Sequence, residues 1–137
     1  MLEKSCGTIP YTVKDGTVYY LLIKIKGDGS CGFPKGHMEA GESEVETALR
    51  ETLEETSVRV RIHEDFRYEM SYRMNNGNRK NVAYFLADFE DQMPARNGDF
   101  EEFDYLLLPF DAAQRALTFE NARQMLKQAD ADLRSQL

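Results

Sequence analysis

Residues 17–26, TVYYLLIKIK, form a β-branched and aromatic run of strand length, and Asp15-Gly16 just before them is a tight-turn signal leading back to GTIPYTV. The pattern predicts an opening hairpin. A second hairpin is predicted where FRYEMSYRM and NVAYFLADF flank NNGNRK, because Asn76-Gly77 is a strong hairpin-turn signal. Between the hairpins the period changes from two to 3.6: Val45, Ala48, Leu49, Thr52, Leu53 and Thr56 recur at helical spacing, and Ser43 followed by Glu46 reads as a capping box. A helix is therefore expected over 43–57.

Residues 105–110, YLLLPF, read as a buried strand ending at Pro109, after which Asp111 is expected to cap a short helical segment. A last helix is expected over about 120–135, with Ala122, Met125, Leu126 and Ala129 on one face. Two segments break the periodicity. GDGSCGFPKG (27–36) gathers four glycines and a proline, which suits a loop that brings backbone close to a ligand, and EDQMPARNGDFEE (90–102) is polar and reads as a loop. No repeat, low-complexity tract or linker divides the chain.

A length of 137 residues, 42% apolar, with 7 Tyr and 8 Phe, is consistent with one domain that builds a real core. The net charge of −7 disfavours a general electrostatic grip on nucleic-acid phosphates or anionic lipid, so neither nucleic acid nor membrane is expected as a partner. There is no basic-then-apolar leader and no apolar run near 18 residues, and the cytoplasm is the expected setting. Cys6 and Cys31 lie 25 apart, without the spacing of a zinc knuckle, and read as reduced thiols.

Charge changes the picture most at residues 36–58, GHMEAGESEVETALRETLEETSV, which hold seven glutamates and one arginine. Glu44, Glu51, Glu54 and Glu55 fall along one side of the predicted helix, opposite its apolar set. Like charges at i,i+4 cost a few tenths of a kcal/mol per pair, and Arg50 is the one helix cation that offsets them. An acidic solvated face is the ordinary reading of such a helix. Clustered carboxylates on a rigid element are also what a hard divalent cation requires, with Mg²⁺ taking its remaining ligands from phosphates and water. The repulsion then has a purpose.

Gly36, five residues, Glu42, seven residues and RETLEETSV resemble the Nudix box, G-x5-E-x7-R-E-(apolar)-x-E-E-x-G-(apolar), with six charged or glycine positions matched. Two positions depart from it: Thr52 stands at the aliphatic position, and Ser57 replaces the glycine that ends the helix in a left-handed turn. The resemblance implies an α/β/α sandwich with a mixed sheet between helices, and a hydrolase that splits a nucleoside diphosphate linked to another group. It further implies that Glu51, Glu54 and Glu55 hold Mg²⁺ or Mn²⁺, that Arg50 orients them, that the Lys35 carbonyl adds a ligand, and that Glu42 supports the loop.

Outside the box, PKGH followed by an acidic loop, together with RYEMSY, NRKNVAYFLADF and the C-terminal segment, is similar to the asymmetric diadenosine tetraphosphate hydrolases. That similarity implies Lys35, His37 and Lys80 as contacts for a polyphosphate, and Tyr84 and Phe119 as stacking surfaces for adenine. Read from the residues alone, Tyr84 is equally a core residue, Phe119 equally packs the last helix, Lys80 is equally a solvated hairpin residue, and His63 has no functional context. Phosphoanhydride hydrolysis also needs a carboxylate to accept a proton from water. Glu101 is one choice by resemblance, Glu51 on the helix the other. A broader nucleotide hydrolase and a Nudix-fold nucleotide sensor remain as alternatives; the intact glutamate set disfavours the sensor.

Overall fold

In the computed structural model, residues 2–95 and 103–136 are described. Seven strands form one mixed sheet around β1 (Leu2–Lys14). One edge of β1 runs parallel to β6 (Arg79–Asp88), from Leu2↔Arg79 to Tyr11↔Asp88. Its other edge is shared by two partners. Residues 5–7 pair with β4 (Lys35–His37), and residues 11–14 pair with β2 (Thr17–Ile25), both antiparallel. Pro10, which has no amide hydrogen, falls in the fork between these two pairings. That placement explains how β1 extends beyond the short run its sequence suggests. β2 continues past the fork to pair with β7 (Phe103–Leu108) and with β3 (Cys31–Gly32), while β5 (Arg61–Arg73) lines the far side of β6.

Alternation along β1 sends Cys6 and Ile9 to opposite faces. Cys6 packs with Ala83, Phe85 and Ala48 of α1 (Glu44–Thr56). Ile9, Tyr11, Val82, Tyr84 and Leu86 pack with Ala113 and Leu117 at α2 (Phe110–Ala116), and with Met125, Leu126, Ala129 and Leu133 of α3 (Glu120–Ser135). This is the expected sandwich: one helix on one face of a mixed sheet, two on the other. Both cysteines are free and buried. Among the described residues no helix is long and apolar enough to cross a membrane.

The hairpin turns at Gly16 and Gly77 adopt the positive φ expected of them, +79° and +86°. The capping box forms in full: Ser43 accepts from the Glu46 amide, and Glu46 accepts from the Ser43 amide. Two expectations are corrected. Asp111 is not a cap, because α2 begins one residue after Pro109, whose fixed φ of −66° already suits a helix start, and Asp111 lies in the first turn. The buried face of α1 is Thr47, Ala48, Thr52 and Thr56, whereas Leu49 is 38% exposed. Threonine is tolerated there because each hydroxyl has a partner. Thr47 donates to Glu42, Thr56 donates to the Thr52 carbonyl, and Thr52 pairs with Thr8 of β1 at 2.7 Å.

Candidate active site

The capping box sets the start of α1, and Ser57 ends it in the left-handed region (φ 62°), its amide donating to the Leu53 carbonyl. Between these ends Arg50 draws the acidic residues together. Its Nε and Nη2 donate to the two oxygens of Glu42, at 2.7 and 3.0 Å. Nη1 reaches Glu51 at 2.9 Å and Glu54 at 3.2 Å, and Nη2 also donates to the His37 carbonyl. Every direction of the guanidinium fork is used. The Arg50 fork, with help from the Glu39 amide, holds the Glu42 carboxyl down to about 2. Glu51 behaves oppositely: burial pushes its carboxyl above the ordinary range, against the pull of Arg50.

Burial of Glu51 follows from its contact with Gly36. A Cβ at Gly36 would lie 2.0 Å from the Glu51 carboxyl carbon and 2.1 Å from Oε1. Gly36 does not have positive φ, so close approach, not backbone conformation, is what requires glycine. One turn on, Glu55 Oε1 accepts from the Lys35 amide at 2.8 Å, tying the helix to β4. Three carboxylates from one helix face, one resting on bare backbone, are a hard-oxygen donor set that fits a small divalent cation. Among the described residues no three His, Cys, Asp or Glu side chains converge closely enough to hold a metal ion as they stand. Arg50 stands between Glu51 and Glu54 and orients both.

Glu55 and Lys35 also stand at one end of a cleft of about 590 Å³ on the α3 side of the sheet. Its walls are largely apolar: Ile23 and Ile25 of β2, Phe33, Met70 and Tyr72 of β5, Tyr84 of β6, and Phe119 before α3. Tyr84 forms the floor, 6% exposed, with its ring edge-on to Phe33 at 6.4 Å. Phe119 and Tyr72 are the open rings, 60% and 36% exposed. A largely apolar cleft with exposed aromatics that is also lined by Lys35 and the Glu55 carboxylate can hold a flat group and a charged group in one ligand.

The structure thus places Lys35, Glu55, Tyr84 and Phe119 on one cleft, and links Glu51 and Glu54 through Arg50. Tyr84 is both core and cleft. Lys80 is buried, not solvated, and its ammonium is pushed down by that burial and by the neighbouring Lys35. His37 is exposed beside Glu3, its Nε2 3.2 Å from Oε1, and does not line the cleft. Glu101 and Glu102 lie outside the described residues. Glu44 leaves the cluster: Arg67 and Lys4 hold it, and its carboxyl falls to about 2. His63 is on β5, 2.6 Å from Asp88.

Sequence reading assigned no role to Tyr72 or Met70. The signal was present, since Tyr68, Met70 and Tyr72 alternate along β5 and so share a face.

Comparison with known proteins agrees with this geometry. The family model described as the NUDIX domain matches residues 5–129. The asymmetrical bis(5'-nucleosyl)-tetraphosphatase of Rattus norvegicus is 32% identical over 139 residues, with 93% of each chain covered. That of Sus scrofa is 36% identical over 138 residues, again with 93% of each covered. Among solved structures, a binary complex of Caenorhabditis elegans Ap4A hydrolase superimposes with a TM-score of 0.88 at 25% identity, covering 97% of this chain and 98% of that one.

Proposed function

The chain belongs to the NUDIX domain family and is a hydrolase, and from that premise we propose that it cleaves diadenosine tetraphosphate to ATP and AMP by attack of water on a phosphoanhydride. The observation that carries this reading is that one cleft is lined both by the open rings of Phe119 and Tyr72 and by Lys35 and Glu55. A nucleoside polyphosphate needs a flat apolar shelf at one end and oxygen-handling groups at the other. Here they belong to one cavity.

In this proposal Glu51, Glu54 and Glu55, with the Lys35 carbonyl, hold Mg²⁺, and Mn²⁺ suits the same oxygen donors. The cation, when bound, neutralises charge on the non-bridging oxygens of the reacting phosphate. The chain's own residues do the rest. Arg50 keeps Glu51 and Glu54 in place through its three-way hydrogen bonding. Lys35, on the cleft, attracts the phosphate chain with Lys80 beside it, and His37, exposed next to Glu3, is a further polar contact from outside the cleft. Phe119 and Tyr72 offer stacking surfaces for the adenine, with Tyr84 in the same cleft. Glu51 on the helix and Glu101 are the two candidates for the base that takes a proton from the attacking water. Two free, buried thiols suit a reducing compartment, and the cytoplasm is the proposed setting.

Turnover of a panel of dinucleoside polyphosphates, sugar nucleotides and deoxynucleotides with Mg²⁺, with products separated by chromatography, tests the proposal. AMP plus ATP from the tetraphosphate is expected. Turnover confined to the other substrates would assign a broader nucleotide hydrolase, and binding without turnover would assign a sensor.

A further inference from the structure

Phe119 presents an open ring to the cleft, yet its own side chain has little to hold it, being 60% exposed. What fixes it is the residue before it. The Cys31 amide donates to Thr118 Oγ1 at 2.7 Å, and the Thr118 amide donates back to the Cys31 carbonyl at 3.2 Å. This reciprocal pair spans 87 residues and ties the α2–α3 turn to β3. Leu117, 2% exposed, anchors the turn on the core side, and Arg123 Nη1 donates to its carbonyl at 2.6 Å. The Arg123 amide donates to the Phe119 carbonyl, closing the first turn of α3. Further along, α3 is pinned to β2 by Tyr20, whose hydroxyl donates to Asp130 at 2.6 Å. The backbone carrying Phe119 is thus held on three sides. Among the described side chains it is the Thr118 hydroxyl, beside the Thr118 amide, that ties it to the strand lining the cleft.

We propose that Thr118 is a positioning residue: its reciprocal hydrogen bonds with Cys31 fix Phe119 at the rim of the cleft, so the stacking surface for the base exists before the nucleotide arrives. The inference rests on the reading that the cleft receives a nucleobase. A preformed rim matters because a loose ring must be immobilised at each binding event, and that entropy is subtracted from the stacking gain. Stacking acts on ground and transition states alike, so the effect belongs in KM.

The test compares Thr118→Val, which keeps the shape and removes the acceptor, with Thr118→Ser, which restores it, and with Phe119→Ala. Each is assayed for kcat and KM on diadenosine tetraphosphate and for inhibition by inorganic tripolyphosphate, which has phosphates but no base. Thr118→Val is expected to raise KM about three- to tenfold, the range of one net hydrogen bond, with kcat within about twofold. Thr118→Ser should return KM to near the wild-type value, tripolyphosphate inhibition should be unchanged throughout, and Phe119→Ala should raise KM by roughly fivefold or more. In the double variant Thr118→Val, Phe119→Ala the threonine change should add nothing further. If Phe119→Ala raises KM and Thr118→Val does not, the positioning role is wrong while the base site stands. If Phe119→Ala leaves KM unchanged, the base site itself is wrong and this inference goes with it. A Thr118→Val effect that weakens tripolyphosphate equally would indicate general distortion and also overturn the role. Should Thr118→Val fold poorly, Thr118→Ala, made alone and in the Phe119→Ala background, gives the same cycle.

Discussion

Substituting Gly36 by alanine isolates the placement of one carboxylate. The added Cβ would sit 2.0 Å from the Glu51 carboxyl carbon and 2.3 Å from Oε2, whereas unbonded carbons rest about 3.5–4.0 Å apart, so the carboxylate must retreat by roughly 1.5 Å. The Arg50 Nη1 bond to Glu51, now 2.9 Å, would then lie beyond hydrogen-bonding range. Little else need move, since the obstacle is the end of a flexible side chain. Losing one charge-assisted bond costs about 1.5–3 kcal/mol, but Glu51 also escapes its burial and alanine narrows the unfolded ensemble by about 0.4–1 kcal/mol. Tm should therefore fall by less than about 5 °C. A misplacement of order 1 Å at a reacting centre costs on the order of 10²-fold, so kcat/KM should fall about that much. Glu51→Asp supplies the control: shortening the side chain by one bond of about 1.5 Å vacates the space, so Gly36→Ala should have little further effect in that background. The measurements are steady-state kinetics on all four proteins and their thermal melts. Equal loss from Gly36→Ala with and without Glu51→Asp would refute the reasoning, as would a variant retaining a third of wild-type activity.

Thr52→Val should destabilise by about 1–3 kcal/mol in urea melts, because it strands the buried Thr8 hydroxyl, whereas Thr8→Val with Thr52→Val should return near wild-type stability; strictly additive losses would show that the 2.7 Å pair is not coupled. Ser57→Gly should stabilise by about 0.5–1 kcal/mol with kcat unchanged, since glycine adopts the observed left-handed φ of 62° without strain; a lower Tm would mean the serine is favoured there. Glu44, held down to about 2 by Arg67 and Lys4, contributes stability at pH above its ordinary value of 4.5, and that contribution is lost as pH falls towards 2. Glu44→Gln should therefore flatten the fall of Tm between those pH values, and parallel wild-type and variant curves would remove Glu44 as a source of acid sensitivity.

Local signals carried well into three dimensions. The two hairpin turns, the capping box and the Nudix spacing depend on neighbours within a few residues, and each forms where its sequence pattern lies. The helix face was less legible. Leu49 obeys the apolar period yet faces solvent, while Thr52 and Thr56 are buried: Thr56 bonds back to the Thr52 carbonyl within the helix, and Thr52 finds on β1 a hydroxyl partner that only tertiary packing supplies. Glu44 illustrates the same limit: its charge belongs by period to the acidic face, but Arg67 of β5 and Lys4 of β1 draw it away. Tyr72 needed the alternation of β5 to be combined with knowledge of which face of the sheet is open. Pro10 reads as a strand breaker until the fork in the pairing of β1 shows where a missing amide is harmless.

The parallel pairing of β1 with β6 has a consequence in time as well as in space. Leu2 meets Arg79 and Tyr11 meets Asp88, so every rung of the central ladder joins residues separated by more than half the chain. During synthesis α1 leaves the ribosome before β6 exists, and the strand on which it packs has only its short partners β2 and β4. Loops of that length close slowly, and their entropy must be overcome before the non-local contacts can repay it. The sheet beneath the acidic helix therefore gains its parallel partner only once residue 88 has been made, and the support of the hydrolytic centre is completed late in synthesis although its own contacts lie within residues 35–55.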